Sequence, residues 1–189
     1  MSMKKKPKVV FIYGPIAVGK FTVGEILSKK LGYKFTHNHL VNDFVDSIFK
    51  RGDRMRGKMI ATFRWELYLA GIKAGYNLII THCYAHNYVS ENGISDPAYV
   101  KNVGEKFTKA GADVCFVHLK ANNDALIKRV NSESRNKYKK LTSKTEMQKL
   151  SKEKDWQTSA PIKNQLVIDN TKISAPKTAN MIIKHFKLN

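Results

Sequence analysis

Short apolar runs alternate along the sequence with longer segments whose apolar residues recur every three or four positions. The short runs are rich in β-branched and aromatic residues, which is typical of buried strands. They fall at residues 9–13, 33–36, 78–81, 114–119 and 166–168. The longer segments predict helices at residues 19–31, 40–49, 55–74, 96–110, 122–130, 146–154 and 174–186.

The order of these elements predicts an α/β fold. Strands that alternate with helices imply right-handed crossovers, and therefore a parallel sheet covered by helices on both faces. A length of 189 residues suits one domain, and the sequence shows neither an internal repeat nor a long linker. We expect a single domain over residues 1–189, with a polar, lysine-rich loop or mobile element over about 131–144.

The strongest motif lies between the first strand and the first helix. Residues 14–20 read G-P-I-A-V-G-K, which matches the phosphate-binding pattern G-x-x-x-x-G-K in the strand–loop–helix setting that it requires. The glycines let backbone amides turn towards phosphate oxygens, and the N-terminus of the next helix faces the same anion. Lys20 would reach the terminal phosphates as a point charge. A purely structural glycine turn would not explain this lysine.

One position departs from the strict motif, in which Ser or Thr follows the lysine and holds magnesium. Phe21 stands there, and Thr22 comes one residue later. This G-K-x-T order resembles adenylate kinase and its relatives. The order of elements resembles the P-loop small-molecule kinases as a whole, including shikimate kinase and gluconate kinase. The loop and the tripeptide H-N-H at residues 37–39 also resemble a less characterised branch with Y-G-P-P-A-V-G-K and H-N-H.

This resemblance implies a P-loop NTPase three-layer α/β/α fold. It implies a five-stranded parallel sheet of order 2-3-1-4-5, an acceptor site over the second and third elements, and a lid. It also implies ATP as the cofactor, with Mg²⁺ held mainly through phosphates and water. The nucleotide site, including the loop that packs on adenine in relatives, would comprise Gly14, Ala17, Val18, Gly19, Lys20, Phe21, Thr22 and Asn170.

Polar residues after the second strand are candidates for the acceptor site. His37 and His39 stand where shikimate and gluconate kinases carry D-x-D. If the strand continues, both imidazoles point to one side, where they could accept a proton or orient a phosphate. A structural role for the pair is the alternative. Asp43 on the next helix is the candidate general base or water-mediated metal ligand, unless it is a solvated surface group.

Three more residues complete the predicted acceptor site. Arg64 lies in a segment that resembles the F-R-x-x-E of shikimate kinase, where the arginine holds an acidic acceptor. Arg54 belongs to a basic turn near the place where nucleoside monophosphate kinases grip the acceptor phosphate. His82 ends the third strand, where P-loop enzymes usually carry Asp, and could occupy that space. A solvated basic face is the alternative for the arginines.

Two arginines are predicted to serve the lid. Arg129 ends the helix after the fourth strand, and Arg135 lies in the polar segment beyond it. Their spacing resembles the lid arginines of these kinases, whose charge offsets the charge that spreads over the equatorial phosphate oxygens. Together with Lys20 and Asp43 they form the predicted catalytic set. A plain charged surface loop is the alternative.

The charge balance raises a separate question. The sequence has 34 Lys and Arg against 15 Asp and Glu, a net charge of +19. Lysine dominates this excess. It fits diffuse attraction to a polyanion, or a compositional bias without function. Nucleic acid is therefore a possible partner, although the lysine-rich segments lack an aromatic strip on which bases could stack.

We therefore expect an ATP-binding kinase that moves the terminal phosphoryl group of ATP to a small anionic metabolite or nucleotide. The alternatives are a polynucleotide 5′-hydroxyl kinase or RNA-associated P-loop enzyme, and a non-catalytic nucleotide-binding regulatory protein. Cys83 and Cys115 lack metal-ligand spacing, which favours a reducing compartment. No apolar run reaches the roughly 20 residues of a membrane span, so we expect a cytoplasmic protein without a membrane partner. The oligomeric state is left open.

Overall fold

A computed structural model of the chain describes residues 6–90, 92–131 and 141–189. Every predicted strand and helix forms. In chain order, the elements within the described ranges are β1 (Lys8–Gly14), α1 (Lys20–Leu31), β2 (Lys34–Thr36), α2 (Asn38–Val45), α3 (Arg54–Lys73), β3 (Leu78–Cys83), α4 (Asp96–Lys109), β4 (Asp113–Lys120), α5 (Asn123–Arg129), α6 (Lys144–Glu153), β5 (Leu166–Asp169) and α7 (Ala175–Phe186).

The five strands form one parallel sheet in the order β2-β3-β1-β4-β5. This confirms the predicted fold class and strand order. β1 lies at the centre, and its side chains alternate between two cores. Val10 and Ile12 join the core on one face, and Val9 and Phe11 join the core on the other. Because both faces are covered, the strand reads as an unbroken apolar run and not as an alternating one.

Helices cover both faces of the sheet, which gives three layers. The first core receives side chains from α1, α5, α6 and α7, among them Leu27, Leu126, Met147 and Ile182. The second core receives Tyr68 and Ile72 from α3 and Val100, Val103 and Phe107 from α4. A third, smaller core of Val41, Val45 and Ile60 joins α2 to α3. α2 and α3 therefore form a hairpin with packing of its own.

The starts of the helices differ in a way that bears on function. In α3, α4, α5, α6 and α7 the residue before the helix accepts a hydrogen bond from a backbone N–H of the first turn. Such caps satisfy donors that have no partner within the helix. α1 begins after Gly19 and α2 after His37, and neither has a side-chain capping bond. The donors at these two helix starts are therefore not taken up by a capping side chain.

The second helix is the element that differs most from its prediction. It spans Asn38–Val45 and not residues 40–49, and a turn leads from it to α3. β2 ends at Thr36, and His37 is extended (φ −104°, ψ 152°) as the residue before the helix. The strand alternation proposed for His37 and His39 is therefore wrong, because His39 is already helical. Their rings still lie near each other, with centroids 6.1 Å apart.

Candidate active site

The loop between β1 and α1 needs glycine at both ends. Gly14 has φ +147°, and a Cβ there would lie 2.2 Å from the carbonyl oxygen of Leu119 at the end of β4. Gly19 has φ +94°, and Ala17 has φ +64°. Positive φ values turn successive backbone N–H groups towards a common point, as in anion-binding nests. The loop thus has the backbone geometry that a phosphate cradle requires.

Lys20 lies over this loop. Its Nζ donates hydrogen bonds to the carbonyl oxygens of Gly14 (2.8 Å) and Pro15 (2.7 Å). An ammonium group has three donors and is attracted to phosphate more strongly than to a neutral carbonyl. Because Lys20 is also the first residue of α1, its charge adds to the positive end of the helix dipole. The loop, the helix start and the lysine together form a candidate anion site.

A hydrogen-bonded chain connects this loop to β5 and α5. Asn170 is buried, and its Nδ2 donates to the carbonyl oxygen of Val18 at 2.8 Å. Arg129 donates from Nη1 to Asn170 Oδ1 (3.0 Å) and from Nη2 to the carbonyl oxygens of Asn170 (2.9 Å) and Thr171 (3.0 Å). The structure therefore brings the predicted nucleotide residue Asn170 and the predicted lid residue Arg129 together. Through these bonds Arg129 fixes the loop that follows β5.

The two residues after Lys20 have different environments. The Phe21 ring packs edge-on against Phe35 (5.4 Å between centroids) and against His37 (4.9 Å). Thr22 is exposed on α1. The position that holds a magnesium-ligating hydroxyl in the strict motif is therefore part of an aromatic contact. This contact links the start of α1 to β2 and to the start of α2.

His82 near the end of β3 is paired with a carboxylate that the sequence analysis did not select. Its Nε2 lies 3.2 Å from Asp96 Oδ1, and Asp96 Oδ2 accepts a hydrogen bond from the Ala85 N–H at 2.8 Å. Burial lowers the pKa of His82, and the bond to Asp96 opposes that shift. The ring also stacks on Tyr99 with centroids 4.6 Å apart. The arrangement favours a neutral imidazole that donates from Nε2.

The local sequence places Asp96 at the start of a helix but does not reveal its pairing with His82. Asp96 follows the capping residue Ser95 and precedes Pro97, so it reads as a residue of the first helical turn. Such acids are usually exposed, but Asp96 is only 6% exposed. Nothing in the local pattern indicates that its carboxylate lies against His82 and the Ala85 N–H. His82 stands where P-loop enzymes usually carry Asp, and the carboxylate bonded to it comes from the start of the next helix.

Arg64 is fixed between α2 and α3. Its Nη2 donates to Asn42 Oδ1 at 2.8 Å and to the carbonyl oxygen of Asn38 at 3.3 Å. Its Nε is buried and has no hydrogen-bond partner among the described residues. The guanidinium also interacts with the hydroxyl of Tyr99, whose pKa burial raises to about 12. Arg64 and His82 therefore share Tyr99 as a neighbour.

The other predicted acceptor and lid residues are more dispersed. Asp43 is exposed on α2, and Arg54 is exposed at the first position of α3. His37 is buried and His39 is half-buried. Arg135 and most of the predicted lid, residues 132–140, lie outside the described residues. The structure thus groups Phe21 with His37, and His82 with Asp96, while Asp43 and Arg54 stand on the surface of the hairpin.

A buried aromatic cluster supports the loop from the second core. The His118 ring on β4 stacks on Tyr13, the residue before Gly14, with centroids 4.6 Å apart and planes 4° apart. His118 Nδ1 lies 2.8 Å from Ser159 Oγ, and Nε2 is buried without a hydrogen-bond partner among the described residues. Burial, followed by the charges of Lys120 and Lys20, lowers the pKa of His118 to about 3. A neutral histidine therefore packs directly behind the phosphate loop.

The described ranges contain neither a cluster of metal-ligating side chains nor a helix that could span a membrane. No three His, Cys, Asp or Glu side chains there lie close enough together to hold a metal ion. No helix among the described residues has both the length and the apolar character needed to cross a bilayer.

Comparison with known proteins gives the family. Residues 10–151 match the AAA domain family AAA_18, and the chain belongs to that family. No curated protein matches the sequence.

Solved structures share the whole fold at low sequence identity. A candidate kinase from Chloroflexus aurantiacus is 16% identical, with a TM-score of 0.70 and 98% of each chain covered. Shikimate kinase from Acinetobacter baumannii, in complex with shikimate, is 16% identical, with a TM-score of 0.53 over 97% of this chain and 94% of that one. A chain of the Pnkp1/Rnl/Hen1 RNA repair complex is 16% identical, with a TM-score of 0.57 over 80% of this chain and 45% of that one. The predicted resemblance to P-loop kinases is confirmed at the level of the fold.

Proposed function

We propose that the protein is an ATP-dependent kinase that transfers the terminal phosphoryl group to a small anionic acceptor. One observation carries this proposal. α1 starts directly after a glycine loop without a side-chain capping bond, and the Lys20 ammonium lies against the backbone of that loop. Preorganised donors of this kind stabilise the charge of a transferring phosphoryl group, which is most of what a phosphotransferase must do.

Magnesium would enter this site with the nucleotide. The residue after Lys20 is an apolar ring, and the carboxylate of Asp96 is already bonded to His82 and to a backbone N–H. The protein therefore offers no preformed cage within the described residues. Mg²⁺ keeps several of its waters and is often held by substrate phosphates, which fits this donor set. Bound there, it would neutralise phosphate charge.

The acceptor would lie beside Arg64, His82 and Tyr99. The guanidinium of Arg64 has a buried Nε donor without a partner among the described residues, and it suits a carboxylate or phosphate on the acceptor. Neutral His82 donates from Nε2 to Asp96, which leaves Nδ1 as the acceptor for a hydroxyl proton. Asp43 remains the alternative base, and Arg129 with Arg135 remain the proposed lid charges.

An acceptor panel tests this proposal. The protein is incubated with Mg²⁺-ATP and with sugars, sugar acids, nucleosides, nucleotides and a 5′-hydroxyl oligonucleotide, and transfer of labelled phosphate is measured. We expect transfer to one anionic class, and a loss of about 100-fold or more in Lys20→Ala. Lys29→Ala removes an exposed charge from the same helix and serves as the matched control. Equal, background-level turnover in all three proteins with every acceptor would refute a kinase and leave a nucleotide-binding regulator.

A polynucleotide 5′-hydroxyl kinase is the second candidate. Two observations favour it: the likeness to a chain of an RNA repair complex, and the net charge of +19. It predicts transfer to the oligonucleotide in the same panel, with an affinity that falls steeply as salt rises. Transfer to a small anion alone would reject it.

A further inference from the structure

Exposed apolar side chains are concentrated on the hairpin of α2 and α3. Leu40, Phe44 and Ile48 follow at four-residue spacing and are 51%, 60% and 77% exposed. Phe63 and Leu67, four residues apart on α3, are 38% and 55% exposed. The rings of Phe44 and Phe63 meet edge to face with centroids 5.4 Å apart, so the two stripes join. These five residues form one surface, the α2–α3 patch.

Residues 50–58 add positive charge to one end of this patch. They cover the end of the turn between the two helices and the beginning of α3, and we call them the basic turn. Met55, which is 45% exposed, lies within the basic turn. Arg56 forms a bidentate ion pair with Asp46, with Nε–Oδ1 at 2.5 Å and Nη2–Oδ2 at 3.1 Å. The remaining cations of the segment are exposed, and their side chains make no ion pair or hydrogen bond with any residue that the structure describes; they are Lys50, Arg51, Arg54 and Lys58.

A partner for this surface must accept large apolar side chains and unpaired cations together. A second copy would bring the same basic turn and a further net charge of +19, which opposes association. A nucleic acid would neutralise the cations but would leave Phe44 and Ile48 in water. An anionic bilayer accepts both, because apolar side chains enter the boundary of the acyl chains while Lys and Arg stay among the head groups.

We propose that the α2–α3 patch and the basic turn dock the protein on the surface of an anionic bilayer. The contact is peripheral and requires no membrane-spanning segment, and it departs from the sequence-based expectation of no membrane partner. It combines two weak signals, apolar insertion and a cluster of basic residues, and stable peripheral binding usually requires two. The hairpin also carries Arg64 and Asn42, so docking would bring the proposed acceptor site close to the lipid surface.

Vesicle sedimentation tests the docking proposal without nucleotide or acceptor. The probes are vesicles of phosphatidylcholine alone and of phosphatidylcholine mixed with phosphatidylglycerol. We expect binding to the mixed vesicles only, and a weakening of that binding as salt rises. Lys50→Gln/Arg51→Gln should weaken it by about fivefold for each charge removed. Ile48→Ser/Met55→Gln should weaken it by at least tenfold at unchanged net charge.

Matched controls separate this surface from the general charge of the protein. Lys109→Gln/Lys184→Gln removes two exposed lysines elsewhere, and Val89→Ser/Ile94→Ser removes exposed apolar groups from the β3–α4 loop. Thermal melts establish that each variant folds. The proposal is overturned if no vesicle binds, or if control and turn variants lose binding equally. It is also overturned if the protein is a dimer that Ile48→Ser/Met55→Gln converts to monomer, since the patch would then be a self-interface.

Discussion

The buried His118 makes the stability of the fold depend on pH in a window that can be measured. Its pKa is about 3 in the folded chain, against an ordinary value of 6.5. Between these values the unfolded chain binds a proton that the folded chain does not. The free energy of unfolding therefore rises with pH through this window. The contribution of His118 to it is fully present above about pH 6.5 and is lost progressively as pH falls below that value.

The size of this effect follows from the shift. One unit of pKa difference corresponds to about 1.4 kcal/mol, so moving from neutral pH to about pH 5 removes about 2 kcal/mol. Burial also lowers the pKa of His82, which acts in the same direction. Hydrogen bonds from Thr158 and Thr171 lower the pKa of Asp155 and Asp169, respectively. Their contributions are therefore lost only as pH falls below the ordinary aspartate pKa of about 4. The window near pH 5 to 6.5 therefore reports on the histidines.

Urea denaturation at a series of pH values measures this dependence, with His118→Phe as the comparison. Phenylalanine keeps a ring for stacking on Tyr13 and cannot titrate, and the bond to Ser159 is lost at a cost of about 1 kcal/mol at neutral pH. We expect the variant to lose part of the slope between about pH 5 and 6.5. If wild type and variant show the same slope, or if the wild type shows none, the reasoning about His118 is wrong.

Gly14→Ala and Asn170→Ala test the geometry of the phosphate loop, and Gly32→Ala is the control. Gly14→Ala places a methyl group 2.2 Å from the carbonyl oxygen of Leu119 at φ +147°, so we expect lost ATP binding by calorimetry and a destabilisation of about 3 kcal/mol or more. Gly32→Ala, at φ +69° with no atom within 4 Å, should cost only about 1 kcal/mol and leave ATP binding intact. Asn170→Ala removes the bond to the Val18 carbonyl and should weaken ATP binding about tenfold; unchanged affinity would show that this bond does not shape the loop.

The fold could be predicted because its signals are local. The three central strands, β1, β3 and β4, are largely buried apolar runs, and glycine follows several of the helices. The end of α2 was less predictable, since Ile48 and Phe49 continue the apolar pattern beyond Val45. There the Arg56–Asp46 ion pair joins the turn after α2 to α3.

The candidate site was only partly predictable, because its remaining contacts join distant residues. The phosphate loop is contiguous and carries its own motif. His82 and Asp96 are separated by 14 positions, and Arg129 and Asn170 by 41. No periodicity connects such pairs, because each joins residues that lie on different elements or loops.

The two departures from the usual P-loop pattern acquire a common physical explanation in the structure. Phe21, in place of the loop hydroxyl, packs against Phe35 and His37, while His82, in place of the strand carboxylate, stacks on Tyr99. Both positions that serve the metal in the usual pattern are therefore aromatic contacts: Phe21 joins the start of α1 to β2, and His82 joins β3 to α4. The proposed charge stabilisation then depends more on fixed cations and backbone donors, and less on protein ligands to magnesium. Substitutions that remove these rings should therefore disturb the relative position of the two substrates more than the affinity for the metal.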